Sequence, residues 1–276
     1  MSGSSAQMLS REVHTALRGR GMATVIRPFS FREFLVEGGF PEAQGLPAAV
    51  RVELLQGYVG TVLFRDVVER HRVSHVEALR WVARQCLRSP AGSLGAHRLY
   101  LDLRAQGRGV AKDAVHAMLA HLIDAFLLSA VPLATGSERQ RNSNPRRIYP
   151  VDTGMIPAFD RSGRPNLDHT LETVVLNELE RRGAEVGYVK TADGHEVDFL
   201  ARYRAGGSQL LQVCADPSDP MTLERELRSL AAAARDHRRA AARMLVLDRD
   251  AVPGAKSAGI EVQPVYEWLL APPDEA

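Results

Sequence analysis

The chain has 276 residues, of which 45% are hydrophobic and 25% are charged, proportions typical of a globular protein with two or three small domains. Its formal net charge of +2 gives no overall sign of nucleic-acid binding, so any basic surface must be local. Two cysteines are too few for a disulfide framework or a zinc cluster. Because the sequence shows neither a signal-peptide pattern nor an apolar run of roughly 20 residues, we expect a cytoplasmic chain without a membrane partner.

The N-terminal part of the chain predicts only short elements. A capped helix is expected over 10–19, a β-branched strand over 23–27 and a second short helix over 30–38. The Gly- and Pro-rich stretch 38–47 predicts a loop at a domain boundary. The chain starts with MSGSSAQMLS, which resembles the end of a strand and a turn. A self-contained domain rarely begins so abruptly; the alternative is an ordinary frayed chain end.

Helical periodicity follows over 48–89 in two blocks, and then over 93–107 and 111–128. In the last of these helices, apolar residues recur at helical spacing: Val115, Met118, Leu119, Leu122, Ile123 and Phe126. Two helices followed by a polar loop, GSERQRNSN, between two short extended runs is the order of a winged helix-turn-helix. We therefore assign residues 46–160 to a helical, winged-helix module; a module that only packs or oligomerises would show the same pattern.

Arginines concentrate around this polar loop. The candidate contacts to nucleic-acid phosphates are four: Arg139, Arg141, Arg146 and Arg147. Guanidinium groups on a wing contact the phosphate backbone, which positions a protein on nucleic acid without specifying sequence. The alternative is an ordinary solvated, charged loop.

The sequence pattern changes near residue 165. A helix is expected over 168–183, followed by three strands over 184–190, 196–203 and 208–215. The helix 222–237, the strand 242–249 and a short strand and helix within 261–271 complete the chain. A strand–helix–strand order implies a parallel pair with a right-handed crossover. We therefore expect a small mixed α/β domain over 165–276.

Polar residues in this domain occupy spaced positions on one helix and two neighbouring strands. Glu172 lies on the first helix, Asp198 on the second strand, and Gln212 and Cys214 on the third. This arrangement resembles the PD-(D/E)XK nuclease superfamily, and the helix resembles that of archaeal Holliday-junction resolvases. The resemblance implies that a helix Glu, a strand Asp and an (Asp/Glu)-x-Lys pair would converge on Mg²⁺, which prefers carboxylate oxygens and activates water.

Two of those expected groups are replaced in this chain. Gln212 offers a neutral amide where the resemblance expects an acid, and Cys214 offers a thiol, mostly uncharged at pH 7, where it expects lysine. Glu172 and Asp198 could still hold a metal weakly, with Glu196 two residues from Asp198 on the same strand face. The alternative is a structural hydrogen-bond network in a degenerate site, with Cys214 as a small buried apolar group and Gln212 as a buried hydrogen-bonding residue.

The order of motifs along the whole chain carries a second resemblance. In succession the chain contains GSSAQMLS, LRGR, PFSFREFL, GGFPE, FRDVVER, HLIDAFLL, RRIYPVDTG, LETVVLNELERRG, GHEVDFL, QLLQVC and TLEREL. Together these motifs resemble a family of prokaryotic AAA+-type ATP-binding proteins with a C-terminal region of unknown function. That family implies a P-loop ATPase followed by a winged-helix module and a nuclease-like domain.

The chain departs from this family because it contains no G-x-x-x-x-G-K-[ST] sequence. The resemblance makes residues 1–45 a C-terminal remnant of the ATPase core, with Ser4 or Ser5 at the sensor position. Arg18 or Arg20 would match an arginine that reaches a nucleotide γ-phosphate. The alternative is a solvated basic turn, and ATP is expected as a ligand only in a full-length parent.

Two functions therefore remain open on the sequence. The first is a non-catalytic module that binds nucleic acid or a partner protein and keeps a degenerate nuclease-like site. The second is a metal-dependent DNA nuclease that uses Glu172 and Asp198, with Mg²⁺ as the cofactor. ATPase activity is not expected from this chain alone, and an oligomer is compatible with the resemblance to ring-forming AAA+ proteins.

Overall fold

The computed structural model of the chain describes residues 39–43, 45–88, 95–160, 167–247, 250 and 259–271. The expected elements before residue 38, and the candidate nucleotide contacts Ser4, Ser5, Arg18 and Arg20, lie outside the described residues. The chain divides into two compact units. The first contains Phe40–Ala130 and the segment that begins at Ile148, and the second contains Val131–Arg147 and the described residues from 167 onward.

The first unit is built from helices. They are α1 (Ala48–Val62), which continues as a π-helix over Leu63–Glu69, α2 (Val76–Arg88), α3 (Ala96–Ala105) and α4 (Lys112–Asp124). The apolar spacing predicted for α4 is confirmed at four positions, because Val115, Met118, Leu119 and Leu122 are all buried in one core, whereas Phe126 lies beyond the end of the helix. That core also contains Leu79 of α2 and Leu99 of α3, so the helices are held together by their apolar faces.

A two-stranded sheet pairs β1 (Leu128–Val131) with β2 (Arg147–Pro150). The segment between these strands, predicted as a polar loop, contains the short helix α5 (Glu138–Ser143). Ser137 starts this helix, because its side chain accepts a hydrogen bond from the Gln140 amide in the manner of an N-cap. A last short helix of the first unit, α6 (Met155–Phe159), follows β2.

The second unit contains a five-stranded mixed sheet with helices. Its elements are α7 (Leu167–Arg181), β3 (Glu185–Lys190), β4 (Glu196–Arg202), β5 (Ser208–Val213), α8 (Pro220–Asp236), β6 (Ala240–Val246), β7 (Ile260–Pro264) and α9 (Val265–Leu270). The strand order is β3-β4-β5-β6-β7, with the first two pairs antiparallel and the last two parallel. The parallel pairing predicted across the helix that joins β5 to β6 is confirmed.

Local signals in the sequence explain where the helices of this unit begin and end. Asp219 caps α8 by accepting from the Met221 and Thr222 amides, and Pro220 takes the first helical turn, where no amide is needed. After α7, Gly183 adopts a φ of +72°, the left-handed conformation that commonly ends a helix. These signals fix the ends of the helices beside the strands that carry the candidate site.

Candidate functional site

Strands β4 and β5 bring two of the predicted site residues together. Their antiparallel register pairs Phe199 with Leu211, so the preceding Asp198 lies opposite Gln212. The Asp198 amide donates to Gln212 Oε1 at 3.4 Å, and Asp198 Oδ2 accepts from the Val213 amide at 2.9 Å. One oxygen of the Asp198 carboxylate is therefore held by the backbone of the neighbouring strand.

The other Asp198 oxygen is held by Arg147. Arg147 Nη1 lies 2.8 Å from Asp198 Oδ1, and its Nη2 lies 2.9 Å from Glu196 Oε2. The guanidinium also lies over the Tyr188 ring, 5.1 Å from the ring centroid. The sequence predicts Arg147 as a phosphate contact, but only 9% of this residue is exposed. Its guanidinium instead contacts two carboxylates of the second unit.

Burial and two cations, Arg147 and Lys190, shift the pKa values of Asp198 and Glu196. Burial raises the pKa of Asp198, while Arg147 and the Val213 amide act in the opposite direction. Burial also acts to raise the pKa of Glu196, but hydrogen bonds from Arg147 and Lys190 lower it below its ordinary value. Lys190 Nζ lies 3.2 Å from Glu196 Oε1, so two cations face two carboxylates here.

Gln212 connects the Asp198 group to helix α8. Its Nε2 donates to Glu226 Oε2 at 2.8 Å, and the other Glu226 oxygen accepts from Arg225. Sequence reasoning missed Glu226, because the charged run at the start of α8 gives no signal for which acid faces the sheet. The amide at position 212 is thus held between a backbone amide and a carboxylate, which satisfies both of its polar ends.

Cys214 is a buried, protonated thiol. Burial, together with the negative charges of Asp168 and Glu226, raises its pKa to about 12. A thiol with this pKa is neither a nucleophile nor a cation at neutral pH. Cys86, in the core of the first unit, also has its pKa raised to about 12 by burial. Both cysteines therefore behave as small apolar groups.

Helix α7 contributes the remaining groups near Asp198. Asp168 Oδ1 accepts from the Ala215 amide at 2.7 Å, which ties the start of α7 to the end of β5. The pKa of His169 is lowered, mainly by burial and further by the charge of Arg147. Glu172, the helix acid predicted from the sequence, is buried with 7% of its surface exposed.

The predicted Mg²⁺ does not fit the described residues as a resident ion. Both Asp198 oxygens are already bonded, one to Arg147 and one to the Val213 amide. Within the described part of the chain, no group of three or more His, Cys, Asp or Glu side chains could hold a metal ion. A divalent ion at Asp198 would have to displace a buried guanidinium from two carboxylates.

The other three arginines predicted to contact phosphates lie on or beside α5. Arg139 and Arg146 are exposed. Arg141 is half-buried, donates to the Thr135 carbonyl at 3.2 Å, and lies 3.9 Å from both Glu138 and Glu185. Of the four arginines predicted to contact phosphates, Arg139 and Arg146 are therefore the exposed ones.

A second basic surface, which sequence reasoning missed, lies at the opposite end of β5. The register aligns the end of β4 with Ser208 at the start of β5 and Ala240 at the start of β6. Five exposed arginines gather at this edge, and we call them the amino-edge arginines: Arg202, Arg204, Arg235, Arg238 and Arg239. None of the five forms an ion pair with a described residue. Two acids lie beside them: Asp236, and Glu185, the cross-strand partner of Arg202. The pKa of His237 is lowered by burial and then by Arg202.

The chain is a mixed α/β protein with two compact units. A family model described as "Domain of unknown function (DUF8612)" matches residues 28–166, half of the chain. The chain therefore belongs to the DUF8612 family.

Similar proteins are longer than this chain. An uncharacterized protein of Methanocaldococcus jannaschii is 28% identical over 268 residues, covering 86% of this chain and 59% of the relative. An uncharacterized protein of Haemophilus influenzae is 25% identical over 223 residues, covering 73% of this chain and 55% of the relative. The chain thus spans less than two thirds of either relative. No solved structure matches it significantly. Among the described helices, none combines the length and apolar character needed to cross a membrane.

Proposed function

We propose that the chain is a non-catalytic nucleic-acid-binding module whose second unit keeps a nuclease-like order of elements. The order α7-β3-β4-β5-α8-β6 supports the resemblance to PD-(D/E)XK nucleases, because it gives a helix, three antiparallel strands, a helix and a parallel strand. The observation that carries the binding proposal is the amino-edge arginine cluster. In a chain of net charge +2, five exposed guanidiniums on one edge are a local basic surface.

Arginine chemistry favours a phosphate backbone as the partner. A guanidinium presents a planar fork of donors that matches phosphate oxygens, and it is always charged. The amino-edge arginines form no ion pair with a described carboxylate, so their guanidinium groups are available to an external anion. Exposed Arg139 and Arg146 on the wing form a second patch of the same character. Several phosphate contacts together would give a binding constant that falls steeply with salt.

The chemistry of the nuclease-like centre supports binding without cleavage. The thiol of Cys214 has a pKa of about 12 and cannot act as the cation that the resemblance expects at this position. The amide of Gln212 is bonded to Glu226 and supplies no charge. The centre therefore lacks the second acid and the lysine, and we assign the nucleic-acid contacts to arginines outside it.

A salt-dependent binding assay tests the proposal. Fluorescence polarisation with a labelled DNA duplex would compare the wild type with Arg238→Glu/Arg239→Glu and with Arg139→Glu/Arg146→Glu. We expect weaker binding in both variants. The slope of log K against log salt should fall by about 0.9 for each phosphate that the variant no longer neutralises.

The matched control is Arg51→Glu/Arg98→Glu, which reverses two exposed arginines of the first unit and changes the net charge equally. Its affinity should stay closer to that of the wild type than either test variant does. Equal losses of affinity in all three variants would mean that only total charge matters. No measurable binding by the wild type would reject the proposal.

The ATPase assignment stays a prediction for a full-length parent. The greater length of the curated relatives is compatible with such a parent, in which this module would accompany a nucleotide-binding domain.

A further inference from the structure

Arg147 contacts Asp198, the strand acid that the nuclease resemblance expects to bind a metal ion. We propose that its guanidinium is an internal cation that replaces the metal, and that removing this side chain converts Asp198 and Glu196 into a divalent-cation site. This inference concerns the centre alone and does not depend on nucleic-acid binding.

The geometry around the guanidinium is that of a cation between two anions. Asp198 and Glu196 lie two residues apart on β4, and each offers one oxygen to a different nitrogen of the same group, at 2.8 and 2.9 Å. Asp198 and Arg147 are both less than a tenth exposed. The Asp198 carboxylate is buried and the Glu196 carboxylate is half-exposed. Arg147 contacts both of them, and Lys190 contacts Glu196.

Two carboxylate oxygens form a weak site for a divalent ion when water fills the remaining positions. Carboxylate oxygens and water are ligands that Mn²⁺ accepts. Lys190 contacts the outer Glu196 oxygen, so the oxygen that faces Arg147 would become available once Arg147 is removed.

Truncation of Arg147 should create both the space and the charge deficit for a divalent ion. Without the guanidinium, Asp198 keeps its bond to the Val213 amide and is left with no cation beside it among the described groups. A Mn²⁺ ion would restore the charge balance. Metal should therefore bind to the truncated variant and raise its thermal unfolding temperature, because an ion that binds only the folded state stabilises it.

The test is a Mn²⁺ titration followed by the electron paramagnetic resonance signal of the free ion. Five proteins are compared: the wild type, Asp198→Asn, Arg147→Ala, Arg147→Ala/Asp198→Asn and Arg147→Lys. We expect Arg147→Ala to gain one Mn²⁺ site with a dissociation constant on the order of 10⁻³ M, as for a weak carboxylate site. The double variant should lose that site, and Arg147→Lys, which keeps the positive charge, should not acquire it.

A folded Arg147→Ala protein without such a site would overturn the proposal, and so would a site that persists in the double variant. If Arg147→Ala does not fold, the wild type and Asp198→Asn decide the question. A Mn²⁺ site in the wild type that disappears in Asp198→Asn would show that Arg147 does not replace a metal. Equal, non-specific binding by these two proteins would support the inference.

Discussion

The two units each contain a buried aspartate, and the two residues have different electrostatic environments. Asp198 in the second unit and Asp152 in the first are each 7% exposed. Asp198 contacts the Arg147 guanidinium at 2.8 Å and a backbone amide at 2.9 Å. Asp152 Oδ1 accepts from the Gly154 amide at 2.8 Å and has no cation partner among the described residues.

Burial raises the pKa of both carboxyl groups, and the two positions differ in the groups that oppose this rise. Burial raises the pKa of Asp152 to about 6, and the Gly154 amide only partly opposes that rise. At Asp198 a guanidinium opposes the same effect of burial. The second unit therefore contains a buried acid with a cation partner, and the helical unit contains a buried acid without a cation partner among the described residues.

The largest expected effect on stability follows from removal of the cation beside Asp198. Arg147→Met leaves a buried carboxylate without its partner, so the free energy of unfolding of the second unit should fall by about 3–5 kcal/mol. Urea denaturation in a Trp81→Phe background measures this, because Trp268 of the second unit is then the only tryptophan.

The matched control for this prediction is Arg239→Met, at an exposed amino-edge position. It should change the free energy of unfolding by no more than about 0.5 kcal/mol. If Arg147→Met cost no more than this control, Asp198 would not depend on its guanidinium, and the contrast with Asp152 would disappear.

The second prediction is that a substitution at Asp152 increases the free energy of unfolding, whereas the substitution at Arg147 decreases it. Because its pKa in the folded chain lies above the ordinary value, its contribution to stability is full below about pH 4 and is lost as the pH rises through about 6. Asp152→Asn keeps the oxygen that accepts from Gly154 and cannot ionise. The substitution should therefore stabilise the first unit at pH 8 by on the order of 2 kcal/mol, with no gain near pH 4.

Hydrogen exchange of the α4 backbone amides, measured at both pH values, reads the stability of the first unit. Gly154→Ala provides a second check on this site, since an added Cβ would lie 2.9 Å from Asp152 Oδ1. We expect that variant to lose stability at both pH values. A loss in Asp152→Asn at pH 8 would mean that the carboxylate is compensated in a way that the structure does not show.

The smallest expected effect is a change in pKa within a pair of stacked histidines in the first unit. His71 and His121 stack with ring centroids 3.6 Å apart, and the pKa of His121 is lowered first by burial and then by His71. In an NMR titration, His71→Gln should raise the pKa of His121 slightly, and Asp124→Asn should lower it. No change in either variant would mean that burial alone sets this pKa.

Much of the second unit could be predicted from local patterns. The alternating apolar runs, the Gly183 helix end and the strand–helix–strand order predicted the elements, and the strand positions of Asp198 and Gln212 followed. The partner of Asp198 could not be predicted, because Arg147 is 51 residues away and lies in a segment that resembled a polar wing. The amino-edge arginines were also missed, because only the register of β4, β5 and β6 brings them together.

The short helix α5 was missed for a different reason. A single six-residue helix has no apolar periodicity, and its Ser137 cap resembles any turn serine. Most of the helical first unit was easier to predict, because its helices carry long apolar faces. Local pattern thus predicted the elements, while the pairing of charges depended on contacts between distant segments.

A plasmid-nicking assay with Mn²⁺ tests the central claim most directly, namely that the Asp198 centre is neutralised from within the chain and does not cleave DNA. The account predicts that the wild type and Asp198→Ala give the same background level of nicked plasmid. Nicking by the wild type that requires Mn²⁺ and is lost in Asp198→Ala would contradict it.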